Sequence, residues 1–164
     1  MALAQLMLLL GVTACFGQPL EEEPADVNQP PHIAEDFVSP DGDVVLVESD
    51  EEVELSIDTL LDPNPEDALY YAIIGDRTGL IEQATIDRLP TDERFRETFH
   101  QFERVDVSID PCTQRLRDHN HELIRLHVSD RPFDRVTEAG VDIADDGYLQ
   151  TRRWLLRFPD QLCR

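Results

Sequence analysis

The side chains of this sequence with the most chemistry to offer are a pair of histidines among acids, three cysteines and a large excess of carboxylates. His119 and His121 sit beside Asp118 and Glu122, and His121-Glu122-Leu123-Ile124-Arg125 begins like the zinc-binding pattern H-E-x-x-H. That pattern needs a second His four residues on, on one face of a helix; here the position holds Arg125 and the segment alternates like a strand. The two histidines could still bind a transition metal across a loop, but no third ligand cluster accompanies them, and a solvated loop is the expectation. Asp142, Asp146 and Gly147 fit an EF-hand loop, yet Ala144 replaces the second acidic ligand and Arg153 falls where a bidentate Glu is required, so the segment predicts a turn. No G-x-S-x-G elbow accompanies Ser39, Ser49, Ser56, Ser108 or Ser129, and the seven glycines form no phosphate loop. With 35 Asp and Glu, proximity of two carboxylates says little about a glycosidase pair. No constellation fills the roles a catalytic site needs, so the expectation is a protein that is not an enzyme and has no catalytic residues.

The acid excess bounds the partners instead. The 164 residues carry a formal charge of −21, and every one of the 14 positive residues is Arg. Nucleic acid and anionic headgroups are normally met by basic patches, so both should be repelled by most of this surface. The 41% apolar content suffices for a core, and the length suits one domain.

Period-2 alternation runs through most of the chain from His32 onward. Glu52–Ile57, Val105–Ile109, Ile124–Val128 and Trp154–Phe158 read as half-buried strands, Leu69–Ile74 as a central one and Val44–Val47 as a short one. Ser39-Pro40-Asp41-Gly42-Asp43, Asp62-Pro63-Asn64-Pro65, Asp130-Arg131-Pro132 and Asp145-Asp146-Gly147 read as turns between them. This pattern predicts an all-β, antiparallel two-sheet sandwich. Thr91–Phe102 reads equally as a short helix, with Phe95, Phe99 and Phe102 on one face, or as a strand. The 129–148 segment reads as the longest loop, and Arg131, Phe133 and Arg135 make it the candidate interaction surface, since Arg and aromatics favour interface centres.

The N-terminus carries a resemblance. Met1–Ala14 is uncharged, contains Leu3-Ala4-Gln5-Leu6-Met7-Leu8-Leu9-Leu10, and is too short to span a bilayer as a mature helix. It ends in Val12-Thr13-Ala14-Cys15, which resembles the lipobox of bacterial lipoproteins. The resemblance implies a signal peptide over 1–14, cleavage before Cys15, acylation of Cys15, and an extracytoplasmic place in the bacterial cell envelope, at the outer membrane or cell surface. The positive residues usual before the apolar run are missing, which points to a start upstream of Met1. Residues 15–31, with LEEEP and QPP, read as a stiff acidic tether. With Cys15 lipidated, Cys112 and Cys163 remain either as a disulfide in an oxidising compartment or as two free thiols.

A second resemblance concerns residues 32–164. Asp62-Pro63-Asn64-Pro65-Glu66-Asp67-Ala68-Leu69-Tyr70-Tyr71 and His121-Glu122-Leu123-Ile124-Arg125-Leu126-His127-Val128-Ser129-Asp130 look like an acidic turn with its central strand, and the penultimate strand, of immunoglobulin-like modules of the PKD and cadherin-like kind. The resemblance implies a sandwich of about seven strands, with the last over 148–158. Trp154 would fill the core in place of the Trp missing after Tyr71. It also implies a weak calcium site at Asp62, Asn64, Glu66 and Asp67, whose oxygens suit that ion; an acidic turn without an ion is the alternative. The functional expectation is a lipid-anchored binding or structural module that touches the membrane through Cys15, with envelope proteins or extracellular polymers as its partners. The alternatives are a calcium-dependent adhesion domain and a subunit of an envelope complex.

Overall fold

The computed structural model describes residues 28–64, 67–90, 100–117, 119–159 and 162–163. Cys15, the signal segment, most of the 15–31 tether, Glu66 and residues 91–99 lie outside the described residues.

Among the described residues, thirteen strands make the fold. They are β1 (His32–Ile33), β2 (Val38–Ser39), β3 (Val44–Leu46), β4 (Val53–Ile57), β5 (Leu60–Asp62), β6 (Leu69–Gly75), β7 (Gly79–Ile86), β8 (His100–Phe102), β9 (Val105–Ile109), β10 (His121–Ser129), β11 (Phe133–Thr137), β12 (Gly140–Ile143) and β13 (Leu149–Arg157). One sheet has the order β3-β13-β10-β6-β7. Opposite it, β1-β5-β8 and β2-β4-β9 repeat the same three chain passes on either side of a break, at Asp58-Thr59 in the middle pass. The protein is thus an all-β antiparallel sandwich, and β13-β10-β6-β7 reproduces the G-F-C-C′ order of immunoglobulin sandwiches. The exception to antiparallel pairing is β3, which runs parallel to β13 with Val45 opposite Leu156.

Alternation dictates which faces meet. Val105, Val107 and Ile109 are buried while Asp106 and Ser108 are exposed. Across the sandwich, Tyr71 and Ile73 of β6, Ile124, Leu126 and Val128 of β10, and Trp154 and Leu156 of β13 join Leu55 and Ile57 of β4 in one core cluster. Burying each large side chain contributes about 1.5–3 kcal/mol. Trp154 fills that core, as its position suggested. It is 1% exposed, donates its indole N–H to Pro40 O at 3.1 Å, and lies under the Arg152 guanidinium.

One open alternative is decided in part, and one expectation needs correcting. In the 91–102 segment, the part within the described residues, His100–Phe102, is a strand, because it pairs with Leu60–Asp62 and sinks Phe102 into the core. The 129–148 segment is no irregular loop. It holds the β11–β12 hairpin, turned at Glu138-Ala139 with Gly140 at φ +151°. The hairpin packs on β6 and β7 over the outer face of the larger sheet. Arg125 pins its tip by donating to Glu138 O and Ala139 O. This cover explains why β6 is buried on both faces, with Ala72 and Ile74 inaccessible alongside Leu69 and Ile73.

Candidate functional site at the acidic end

The end of β5, the start of β6 and the end of β10 bring Asp62, Asp67 and Asp130 to one end of the sandwich. Asp62 is completely buried. Its Oδ1 accepts the Asn64 N–H at 2.7 Å, the short-range turn closure that Asp-Pro-Asn sequences favour. Its Oδ2 has no hydrogen-bond partner among the described residues. Burial, chiefly, and then the nearby charges of Asp67 and Asp130 push its pKa up to about 6, against the Asn64 N–H and the Arg88 charge.

The neighbours are arranged around that carboxylate. Asp67 Oδ1 takes the Arg131 guanidinium at 2.8 Å, while its buried Oδ2 has no partner. Arg88 donates to Asp67 O. Asp130, almost fully buried, accepts the Tyr148 N–H on Oδ1 and the Asn28 amide on Oδ2, each at 2.7 Å. Asn28 also donates to Asp146 O, and its own Oδ1 is buried and unpartnered. The Gln29 N–H donates to Asn64 Oδ1, so the incoming chain is fastened to this end at two successive residues. Three hard oxygens at this end, on Asp62, Asp67 and Asn28, therefore lack donors among the described residues, and the Asp62 carboxylate has a raised affinity for a proton. The arrangement can hold a proton on Asp62. Among the described residues, no three His, Cys, Asp or Glu side chains form a ready metal cage.

The structure thus joins Asp62, Asn64 and Asp67, leaves Glu66 outside the described residues, and brings Arg131 to them. Asp130 and Asn28 were missed as site residues, being 68 and 34 positions from Asp62 in the chain. Phe133 and Arg135 stand apart on the hairpin, where Arg135 pairs with Asp142 at 2.6 Å. Cys112 and Cys163 form a disulfide with Cα atoms 5.3 Å apart.

Glu122, the acid of the failed zinc pattern, is also completely buried. Its Oε1 accepts the backbone N–H groups of Arg77 and Thr78 and the Thr78 hydroxyl, fastening the β6–β7 turn. His121 Nδ1 lies 2.8 Å from Asn120 Oδ1 and its Nε2 lies 3.0 Å from Arg77 Nη2. An Arg donor requires an acceptor, so Nε2 carries the lone pair and spends it on Arg77, which argues against a metal there.

The fold and the acidic end define an immunoglobulin-like sandwich with a buried carboxylate cluster at one pole. Comparison of the chain with protein-family models, curated proteins and solved structures gave no match.

Proposed function

We propose that this chain is a lipid-anchored, extracytoplasmic, non-enzymatic module of the bacterial cell envelope, tethered through Cys15 and serving to bind or support other envelope components. The observation that carries the proposal is the Cys112–Cys163 disulfide behind a lipobox-like N-terminus. Disulfides persist outside the reducing cytosol, where a lipobox would also send the chain. Several acyl chains at Cys15 would give durable anchoring. Mass spectrometry of membrane-extracted protein tests this. The expected result is a mature N-terminus at Cys15 bearing a diacylglyceryl mass, and release into the soluble fraction on Cys15→Ser. An unmodified Cys15 on a chain still carrying residues 1–14 would sink the proposal. For assembly into a larger envelope complex, cross-linking in membranes is the test, and recovery of monomer alone counts against it.

A second reading is supported by the three donor-less oxygens of Asp62, Asp67 and Asn28: a calcium-dependent adhesion domain. These hard oxygens suit Ca²⁺, and an ion there would tie Asn28, at the domain entrance, to β5 and β6. Titration with Ca²⁺ in a calorimeter should give saturable heat and a raised melting temperature. Absence of both removes this reading.

A further inference from the structure

At the other end of β10, nine residues and about 30 Å from Asp130, the charge pattern inverts. A cavity of about 400 Å³ opens beside the disulfide, with Arg77, Arg117, His119 and His121 on its polar side and Leu116 and Phe158 on its apolar side. A neighbouring recess shares Asn120, His121 and Phe158 and adds Arg157. This grouping is unusual on a chain with 35 acids and 14 Arg. Elsewhere five Arg residues find carboxylates: Arg104, Arg125, Arg131, Arg135 and Arg152 form ion pairs, while Arg88 donates to a backbone oxygen and lies over Phe102. Arg117 and Arg157 have none within 4 Å among the described residues; Arg117 makes one long bond, to Cys112 O at 3.5 Å. Arg115, on the same segment, donates only to Thr78 O.

Arg77 is held in place at the rim. Its Nε donates to His121 O at 3.1 Å and its Nη2 to His121 Nε2. The one described carboxylate close to it, Glu122, is completely buried, 3.8 Å from Nε, with its Oε1 occupied by the turn. Glu122 therefore offsets part of the Arg77 charge from within but does not fill the cavity. Asp118 and Asp160, adjacent in sequence, lie outside the described residues.

We propose that this cavity is a binding site for a small organic oxyanion, a carboxylate or phosphate carried on a sugar-sized body. The Arg117 guanidinium can match either oxyanion with paired charge-assisted hydrogen bonds, Arg77, whose Nε and Nη2 are held by His121, adds its charge, and Leu116 and Phe158 line the less polar part of the cavity. The volume lies in the range of small-molecule sites. The ligand is either a free acid or the end unit of an acidic polymer. The site does not depend on the anchor at Cys15 or on a cation at Asp62.

The test is calorimetric titration of the detergent-solubilised full chain with glucuronate, glucose 6-phosphate, a glucuronate oligomer and neutral glucose. At least one charged probe should bind saturably, glucose should not, and binding should weaken with salt. Arg117→Gln, at an exposed position with one weak contact, should weaken that binding roughly tenfold or more, the loss of a charged hydrogen-bonding partner. Arg135→Gln on the hairpin should leave it unchanged, with matching circular dichroism confirming that both variants fold. Tighter binding of the oligomer per uronate unit assigns the polymer as source and equal binding assigns the free acid; both sustain the proposal. Absence of saturable binding by either acid to about 10 mM, equal binding of glucose, or wild-type affinity in folded Arg117→Gln overturns it.

Discussion

Asp62→Asn should stabilise the cation-free protein at neutral pH, although it removes a completely buried, hydrogen-bonded carboxylate. The folded-state pKa of about 6 stands above the ordinary 3.8. A raised carboxylate pKa means that the folded state binds the proton more tightly than the unfolded chain does. The stability linked to that proton is fully present below pH 3.8 and is lost as pH rises through the window to 6. About two pKa units correspond to about 3 kcal/mol, so ionised Asp62 weakens the fold by up to that much at pH 7.5. Asn keeps an oxygen for the Asn64 N–H and offers its amide to the neighbouring carboxylates without a charge. In chelator at pH 7.5 the variant should unfold about 2–3 kcal/mol later in urea than wild type, and the gap should close by pH 4. The assay is equilibrium urea unfolding at both pH values, read as a difference so that the other carboxylates common to both chains largely cancel. A variant less stable than wild type at pH 7.5 in chelator, or a gap independent of pH, would refute the reasoning. Calcium gives the converse arm. If the acidic end binds the ion, excess Ca²⁺ should stabilise wild type and not the variant, because only the folded wild-type site gains the ligand.

His127 should show the opposite slope. Burial, with Arg125 and Arg153 beside it, lowers its pKa from 6.5 to about 4, so it disfavours the folded state as pH falls through that window; His127→Gln should remove about 3 kcal/mol of acid destabilisation, measured by urea unfolding from pH 7 to 4. Gly75→Ala should destabilise by about 2–4 kcal/mol, since its Cβ would lie 2.0 Å from Thr78 Oγ1 and 2.2 Å from Glu122 Oε1, breaking the bonds that close the β6–β7 turn; denaturant midpoints check it. Opening the disulfide with Cys112→Ser and Cys163→Ser frees a separation of 51 residues and should cost about 4 kcal/mol in the same assay. Trp154→Phe should cost about 1–3 kcal/mol, partly volume and partly the lost bond to Pro40 O, read from thermal unfolding.

What the sequence revealed depends on where solvent touches the fold. Val105–Ile109 was legible because one face of β9 is wet and the other dry. Leu69–Ile74 was legible as an apolar run because the hairpin covers its second face. The hairpin itself was not legible. Phe133-Asp134-Arg135-Val136-Thr137 is a thin outer layer, none of it fully buried, so its alternation is weak. β7 was hidden for a related reason: it is an edge strand with Glu82 to Thr85 exposed, and Glu82, which accepts the Tyr71 hydroxyl, stands where a core strand would show an apolar residue. The site was half visible. Asp62, Asn64 and Asp67 share one turn-like stretch, but Asp130 and Asn28 reach it only through the pairing of β10 with β6 and the path of the incoming chain. The basic cavity showed in the sequence only as the His119 and His121 pair, since Arg77 reaches it from a separate segment and Arg157 lines the neighbouring recess.

The disulfide does more than shorten the unfolded chain. Strands β10, β11, β12 and β13 all lie between Cys112 and Cys163, so two inner strands of the larger sheet and the whole hairpin belong to one covalent ring. A protease that cuts the exposed Glu138-Ala139 tip would open that ring without splitting the molecule. The released end would stay joined through Cys163 to Cys112, with β13 still paired along the full length of β10. Such nicked protein would migrate as one species without reductant and as two with it, and its two pieces would not separate until the sulfur bridge is reduced.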